Sequence, residues 1–273
     1  MHNAPYDALL SYVRFAGANI SHSQRTTAIT RDKSDTHTLQ DATTQIPFFT
    51  TYTHFRILLD SRQLPWLRSL LNTAVLNVVD GLAMRSALRL LDGSPVAPVN
   101  ATDFHHCLLE DVLRRGKRVY LLGGSRNAAA ALPGLLQASS PGCVVRTHHG
   151  HIRPDDAMVI GDIRSFMPDV LFLGLGHPLQ FEWIKENLID ACNGNMHIPL
   201  TVATGNFLEF LAGTQARAPR WMRRSGLEWL HRLMHEPARL WRRYLLGFPA
   251  FLILVLKEKV HRTFRAASHT QQS

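Results

Sequence analysis

Arg118–Gly124 reads RVYLLGG, an apolar run closed by two glycines and followed by a helical pattern from Ser125 through about Leu136. The same punctuation returns at Asp169–Gly176 (DVLFLGLG), before a helix near Gln180–Ala191, and at Pro199–Gly205, before a helix around Phe207–Ala212. Cys143–His148 adds a strand and Asp155–Phe166 a helix. Continuous apolar strands alternating with helices predict a Rossmann-like α/β fold, a parallel sheet with helices on both faces. Right-handed crossovers then gather the strands' carboxyl ends, with Gly123, Gly124, Gly174, Gly176 and Gly205, on one edge, where open α/β sheets take ligands.

Outward from this core the composition changes. Residues 1–45 are rich in Ser, Thr, Asp and His without sustained periodicity, which predicts a disordered or poorly packed segment. Residues 46–213 are expected to form the α/β domain, and residues 214–273 a basic helical appendage. Ala216–Tyr244 carries eight arginines against Glu228 and Glu236, with Trp221, Trp229 and Trp241 between them. The chain is 45% hydrophobic with a formal net charge of +9, and this segment supplies much of the excess. Arginine presents a planar fork to phosphate oxygens, and tryptophan suits a surface wet on one side and oily on the other. An anionic membrane fits this pattern better than nucleic acid, because the apolar run Leu245–Leu256 follows directly. That run has twelve residues and contains Pro249, whereas a spanning helix needs roughly 20. A signal peptide is not expected, since residues 1–61 hold no apolar run of the required length. Cys107, Cys143 and Cys192 are odd in number and far apart, which predicts thiols without a metal or disulfide role and fits a reducing cytoplasm.

Several motifs admit two readings. Gly123-Gly124-Ser125-Arg126 could offer backbone N–H groups and a helix N-terminus to a diphosphate, or form a plain tight turn. Asp80, in Val78-Val79-Asp80-Gly81, could take a proton from an attacking hydroxyl, or serve as a turn or cap aspartate. His148, His149 and His151 sit too close along a loop to face one ion, and Pro154 separates them from a helical Asp155, so no metal site is expected. No Asp-x-Asp occurs in the chain, so a departing diphosphate would have to be neutralised by arginines.

VVDGLAMRSALRLL (Val78–Leu91), VYLLGGS (Val119–Ser125), PDVLFLGLGHPLQFEWI (Pro168–Ile184) and the segment Phe210–Tyr244 together resemble the WecG/TagA/CpsF glycosyltransferases, glycosyltransferase family 26. The resemblance runs from about Thr51 to Tyr244. It implies an inverting, metal-independent transferase without a cofactor, working in bacterial cell-surface polysaccharide synthesis at the cytoplasmic face of the plasma membrane. The implied partners are a UDP-sugar donor, often of N-acetylmannosamine or its uronic acid, a polyprenyl-diphosphate-linked sugar acceptor and the anionic inner leaflet. Homo-oligomerisation is left open, and a catalytically weak scaffold of the same fold is the alternative. By position, Asp80 matches the family's proposed base, and Thr51 and Gln180 match pocket residues. Arg232, Arg239 and Arg242 match arginines that close over the donor diphosphate. Their spacing of seven and three puts them on one face of a continuous helix, although Pro237 could start a new one. Thr53, Pro98, Asn100-Ala101, Leu179 and Phe181 depart from the family pattern, which implies an altered sugar specificity or a lowered activity.

Overall fold

A computed structural model describes residues 48–92, 100–190, 196 and 198–270. The expectation for residues 1–45 and the departure at Pro98 lie outside them, as does Cys192. The described residues divide into two compact units. One takes the chain up to Tyr52, Trp66–Val78 and Asn100–Ala216; the other takes Thr53–Pro65, Val79–Val99 and Arg217–Ser273.

The first unit is built on a six-stranded sheet. Its strands are β1 (Phe49–Thr53), β2 (Leu76–Val79), β3 (Arg118–Gly123), β4 (Val144–His148), β5 (Val170–Gly174) and β6 (Leu200–Ala203), in the order β2-β1-β6-β5-β3-β4. The β1/β6, β6/β5, β5/β3 and β3/β4 ladders are parallel. Val119, Tyr120, Leu121 and Leu122 are buried along β3, as are Leu171, Phe172 and Leu173 along β5, because helices cover both sides of a parallel sheet. The start of β3 is anchored: the Arg118 N–H donates to Asp169 Oδ2 at 2.8 Å and its guanidinium to the Phe166 carbonyl.

Helices of this unit are α2 (Pro65–Thr73), α4 (Ala101–Arg114), α5 (Arg126–Ser139), α6 (Ala157–Phe166), α7 (Leu179–Ile184) and α8 (Phe207–Leu211). Their N-termini are set by short polar side chains, which satisfy N–H groups that have no partner within the helix. Asn100 accepts from Thr102 N, Ser125 from Ala128 N and Asp156 from Met158 N. After β3 the chain moves outward to β4, and after β5 it moves the other way to β6. The switch point of the sheet therefore lies between β3 and β5.

The second unit is helical, with α1 (Phe55–Gln63), α3 (Leu82–Asp92), α9 (Arg220–Arg224), α10 (Glu228–His235), α11 (Pro237–Trp241) and α12 (Gly247–Thr270). Its core joins Phe55, Met84, Ala87, Phe251 and Val255, with Leu58, Leu59, Val79 and Tyr244 packed against them. The C-terminal helices thus share a core with two short helical excursions that follow β1 and β2 in sequence.

Candidate functional site

At the sheet's carboxyl edge the glycines come together as the strand pattern predicts. Gly123 lies opposite Gly174, and a Cβ on Gly123 (φ +147°) would fall 2.4 Å from the Gly174 carbonyl oxygen. The Gly150 N–H donates to the Gly124 carbonyl at 2.8 Å, which ties the histidine loop after β4 to the same turn. The amides that the sequence offers to a diphosphate have partners within the protein. Gly124 N–H donates to the Gly174 carbonyl at 3.4 Å, and Ser125 N–H donates to Glu209 Oε1 at 2.6 Å. A carboxylate already sits at the N-terminus of α5, where the helix dipole favours negative charge.

Gln180 is fully buried, and both ends of its amide are engaged: Nε2 donates to Tyr52 Oη at 3.3 Å, and Oε1 accepts from the Gly205 N–H at 3.1 Å. The same tyrosine excludes any side chain at Gly205 (φ +58°), where a Cβ would stand 2.2 Å from Tyr52 Oη. Thr51 is likewise buried in β1, its hydroxyl 3.4 Å from the Tyr52 carbonyl. Gly176 adopts φ +76° and its carbonyl accepts from the Gln180 N–H at 2.8 Å. Beneath this edge His105 packs edge-on against Tyr52 and Phe207, and burial pushes its pKa down to about 3. The rings of His148, His149 and His151 lie in series, each tilted against the next, with centroids 4.4 and 5.8 Å apart. Burial, with the charges of His148 and Arg126, holds His149 below the usual imidazole range. Among the described residues no group of three or more His, Cys, Asp or Glu is placed to hold a metal ion.

Asp80 belongs to the second unit. It follows β2, is part-exposed, and its N–H donates to the Thr53 carbonyl at 2.9 Å. Gly81 takes φ +87° and α3 starts at the next residue. Arg232, on α10, gives Nη2 to Glu228 Oε1 at 2.9 Å. Burial works to lower its pKa, but Glu228, Tyr244 and Asp80 together outweigh that and hold it above the ordinary arginine value. Asp80 and Arg232 therefore feel one another's charge although 152 positions separate them in sequence (232 − 80).

The expectation of three arginines on one helical face meets a break. Glu236 leaves helical geometry (φ −134°, ψ 56°) and Pro237, which has no N–H to donate, opens α11. Arg232 thus stands on α10 and Arg239 on α11, while Arg242 begins a π-helical turn through Leu246. The exposed Arg242 guanidinium lies 5.3 Å from the Trp241 ring centroid.

A model of the glycosyl transferase WecG/TagA/CpsF family matches residues 23–265. The chain belongs to this family. It is similar to proteins of Staphylococcus aureus strains MW2 and NCTC 8325 / PS 47, each named N-acetylglucosaminyldiphosphoundecaprenol N-acetyl-beta-D-mannosaminyltransferase. Each is 32% identical over 143 residues, which is 52% of this chain and 54% of the relative. The chain spans about half the length of the curated relatives it matches.

Among the family-pattern departures, Thr53 lends its backbone carbonyl to Asp80, Asn100 caps α4 and Phe181 is a core residue. Glu228, Glu209 and Tyr244 were not singled out from sequence as site residues. Only Glu228 left a signal there, its i, i+4 spacing from Arg232.

Proposed function

We propose that this chain is an inverting glycosyltransferase that moves N-acetylmannosamine, or a closely related sugar, from a UDP donor to a polyprenyl-diphosphate-linked acceptor. The observation that carries the reading is the part-exposed turn that sets Asp80 ahead of α3, in the same unit as Arg232 and its Glu228 partner. Family membership and the activity named for the staphylococcal relatives support it.

In this reading Asp80 takes the proton of the acceptor hydroxyl as its oxygen attacks the anomeric carbon from the face opposite the nucleotide. The bond to the diphosphate breaks and its electron pair leaves with UDP. Arg232, Arg239 and Arg242 meet the charge that builds on the departing phosphate, and cations placed in advance cost no reorganisation at that moment. Thr51, Gly123, Gly124, Gly176 and Gln180 contribute shape: buried or already hydrogen-bonded, they fix the carboxyl edge of the sheet.

The acceptor class also asks for a membrane surface. Leu245, Leu246, Phe248, Leu252, Ile253, Leu256, Val260 and Phe264 are exposed, while Phe251 and Val255 face the unit's core. Among the described residues no helix is long and apolar enough to cross a membrane. We assign the exposed stripe and its neighbouring lysines and arginines to peripheral docking on the anionic inner leaflet.

The test is transfer of radiolabelled N-acetylmannosamine from its UDP donor to a short polyprenyl-diphosphate N-acetylglucosamine, with the anomeric configuration of the product read by NMR. A β-linked product formed from an α-linked donor is expected. A retained configuration, or no transfer from any UDP-sugar, overturns the proposal.

A further inference from the structure

The appendage places one of its few carboxylates against an arginine of the proposed site. Glu228 opens α10 one turn ahead of Arg232, and the two side chains are 19% and 30% exposed. On an isolated helix surface such a pair would be a minor brace. Here its surroundings tie it to the base. Gly226, two residues before Glu228, has φ +71°, and a Cβ there would lie 2.9 Å from Leu82 Cδ2. The chain entering α10 is thus laid on the first residue of the helix that Asp80 and Gly81 precede. Tyr244, in the same unit, is held in turn. Its ring centroid lies 6.1 Å from that of Phe55 and 5.6 Å from that of Trp229, and the Arg243 guanidinium is 5.5 Å from it.

We propose that Glu228 is a positioning residue whose carboxylate holds the Arg232 guanidinium at a fixed station toward Asp80. The inference rests on the reading of Asp80 as base and Arg232 as the leaving group's cation. When Asp80 accepts the acceptor's proton it becomes neutral, and Arg232 loses one of its negative neighbours as the diphosphate gains charge. Glu228 keeps the guanidinium in place through that exchange. Attraction shifts from the base to the leaving group without the arginine having to be found anew.

Two variants of the full chain test this, with UDP-N-acetylmannosamine and the short polyprenyl-diphosphate acceptor as probes. Glu228→Gln should lower kcat about tenfold to a hundredfold with little change in donor KM, because a slackened cation is missed mainly as charge develops. A guanidinium released from its station also supports the Asp80 carboxylate less, so the acid limb of the kcat/KM profile should move to higher pH. Glu228→Asp keeps the charge and should leave that limb in place while kcat falls less. A Glu228→Gln enzyme with wild-type kcat and acid limb overturns the inference. So does a Glu228→Gln chain that fails to fold beside a fully active Glu228→Asp, since that assigns the carboxylate to stability alone. Asp80→Asn run in parallel separates the two levels. If it retains turnover, the proposed function fails. If it is inactive while Glu228→Gln is unaffected, only the role of Glu228 falls.

Discussion

The carboxyl edge of the sheet and the turn bearing Asp80 are made on opposite principles. At the edge, Gln180 bridges Tyr52 and Gly205, Ser125 holds Glu209, and a side chain on Gly123 or Gly205 would collide with a neighbour. Nearly every polar group singled out there has a partner within the protein, so the region is rigid and chemically quiet. The Asp80 turn is part-exposed, and the carboxylates of Glu228 and Asp80 both act on the Arg232 guanidinium. Charges arranged in that way await a partner that can redistribute them. A quiet, locked scaffold edge and a charged, unsettled turn are what a transferase requires in different places.

Substitutions should separate the two regions by kind of effect as well as by size. The largest loss is expected at Asp80→Asn, with turnover down about a thousandfold and donor binding by calorimetry near wild type. Preserved turnover would move the base elsewhere. Arg232→Ala follows, with kcat down about a hundredfold, as for loss of one group aimed at developing charge. Neither change should shift the denaturation midpoint far.

At the sheet edge the effects should appear in stability. Gly205→Ala forces a Cβ onto Tyr52 Oη and a left-handed backbone onto alanine, and should cost about 3 kcal/mol in chemical denaturation. Adding Tyr52→Phe should recover the part due to the clash; no recovery would mean that backbone conformation alone sets the cost. The smallest effect concerns acid. The unfolded chain protonates His105 near the ordinary value of 6.5, while the folded chain resists until about 3. Stability contributed by the neutral ring is therefore complete above 6.5 and declines as pH falls toward 3. Between pH 7 and pH 5 this amounts to about 2 kcal/mol. His105→Leu should flatten that part of the pH profile, and an unchanged slope would exclude His105 as its source.

What could be read in advance follows the same division. β3 and β5 were legible because a parallel strand buried on both faces must be a continuous apolar run, and its closing glycines answer a backbone approach. β1 was not singled out. Its sequence FTTYT carries threonines, whose β-branched stems suit a strand while their hydroxyls hide it from a search for apolar runs. The Glu209 contact with Ser125 joins residues 84 positions apart, and no local pattern foretells it. Asp80 is a candidate base from its own motif and Arg232 one of eight arginines in its segment, but only the family resemblance sets the two in one reaction, since neither residue's neighbours in sequence announce the other. The break before α11 was written in Pro237. The π-helical turn at Arg242–Leu246, which also takes Arg242 off the expected face, left no mark in the sequence.

The central claim is that Asp80 and Arg232 work as one chemical unit, and a double-mutant cycle on sugar transfer tests it most directly. Groups that act together lose their effect together, so Asp80→Asn combined with Arg232→Ala should be about as impaired as Asp80→Asn alone, near a thousandfold. Losses that multiply to about a hundred-thousandfold would mean the two residues act independently, and the account would be contradicted.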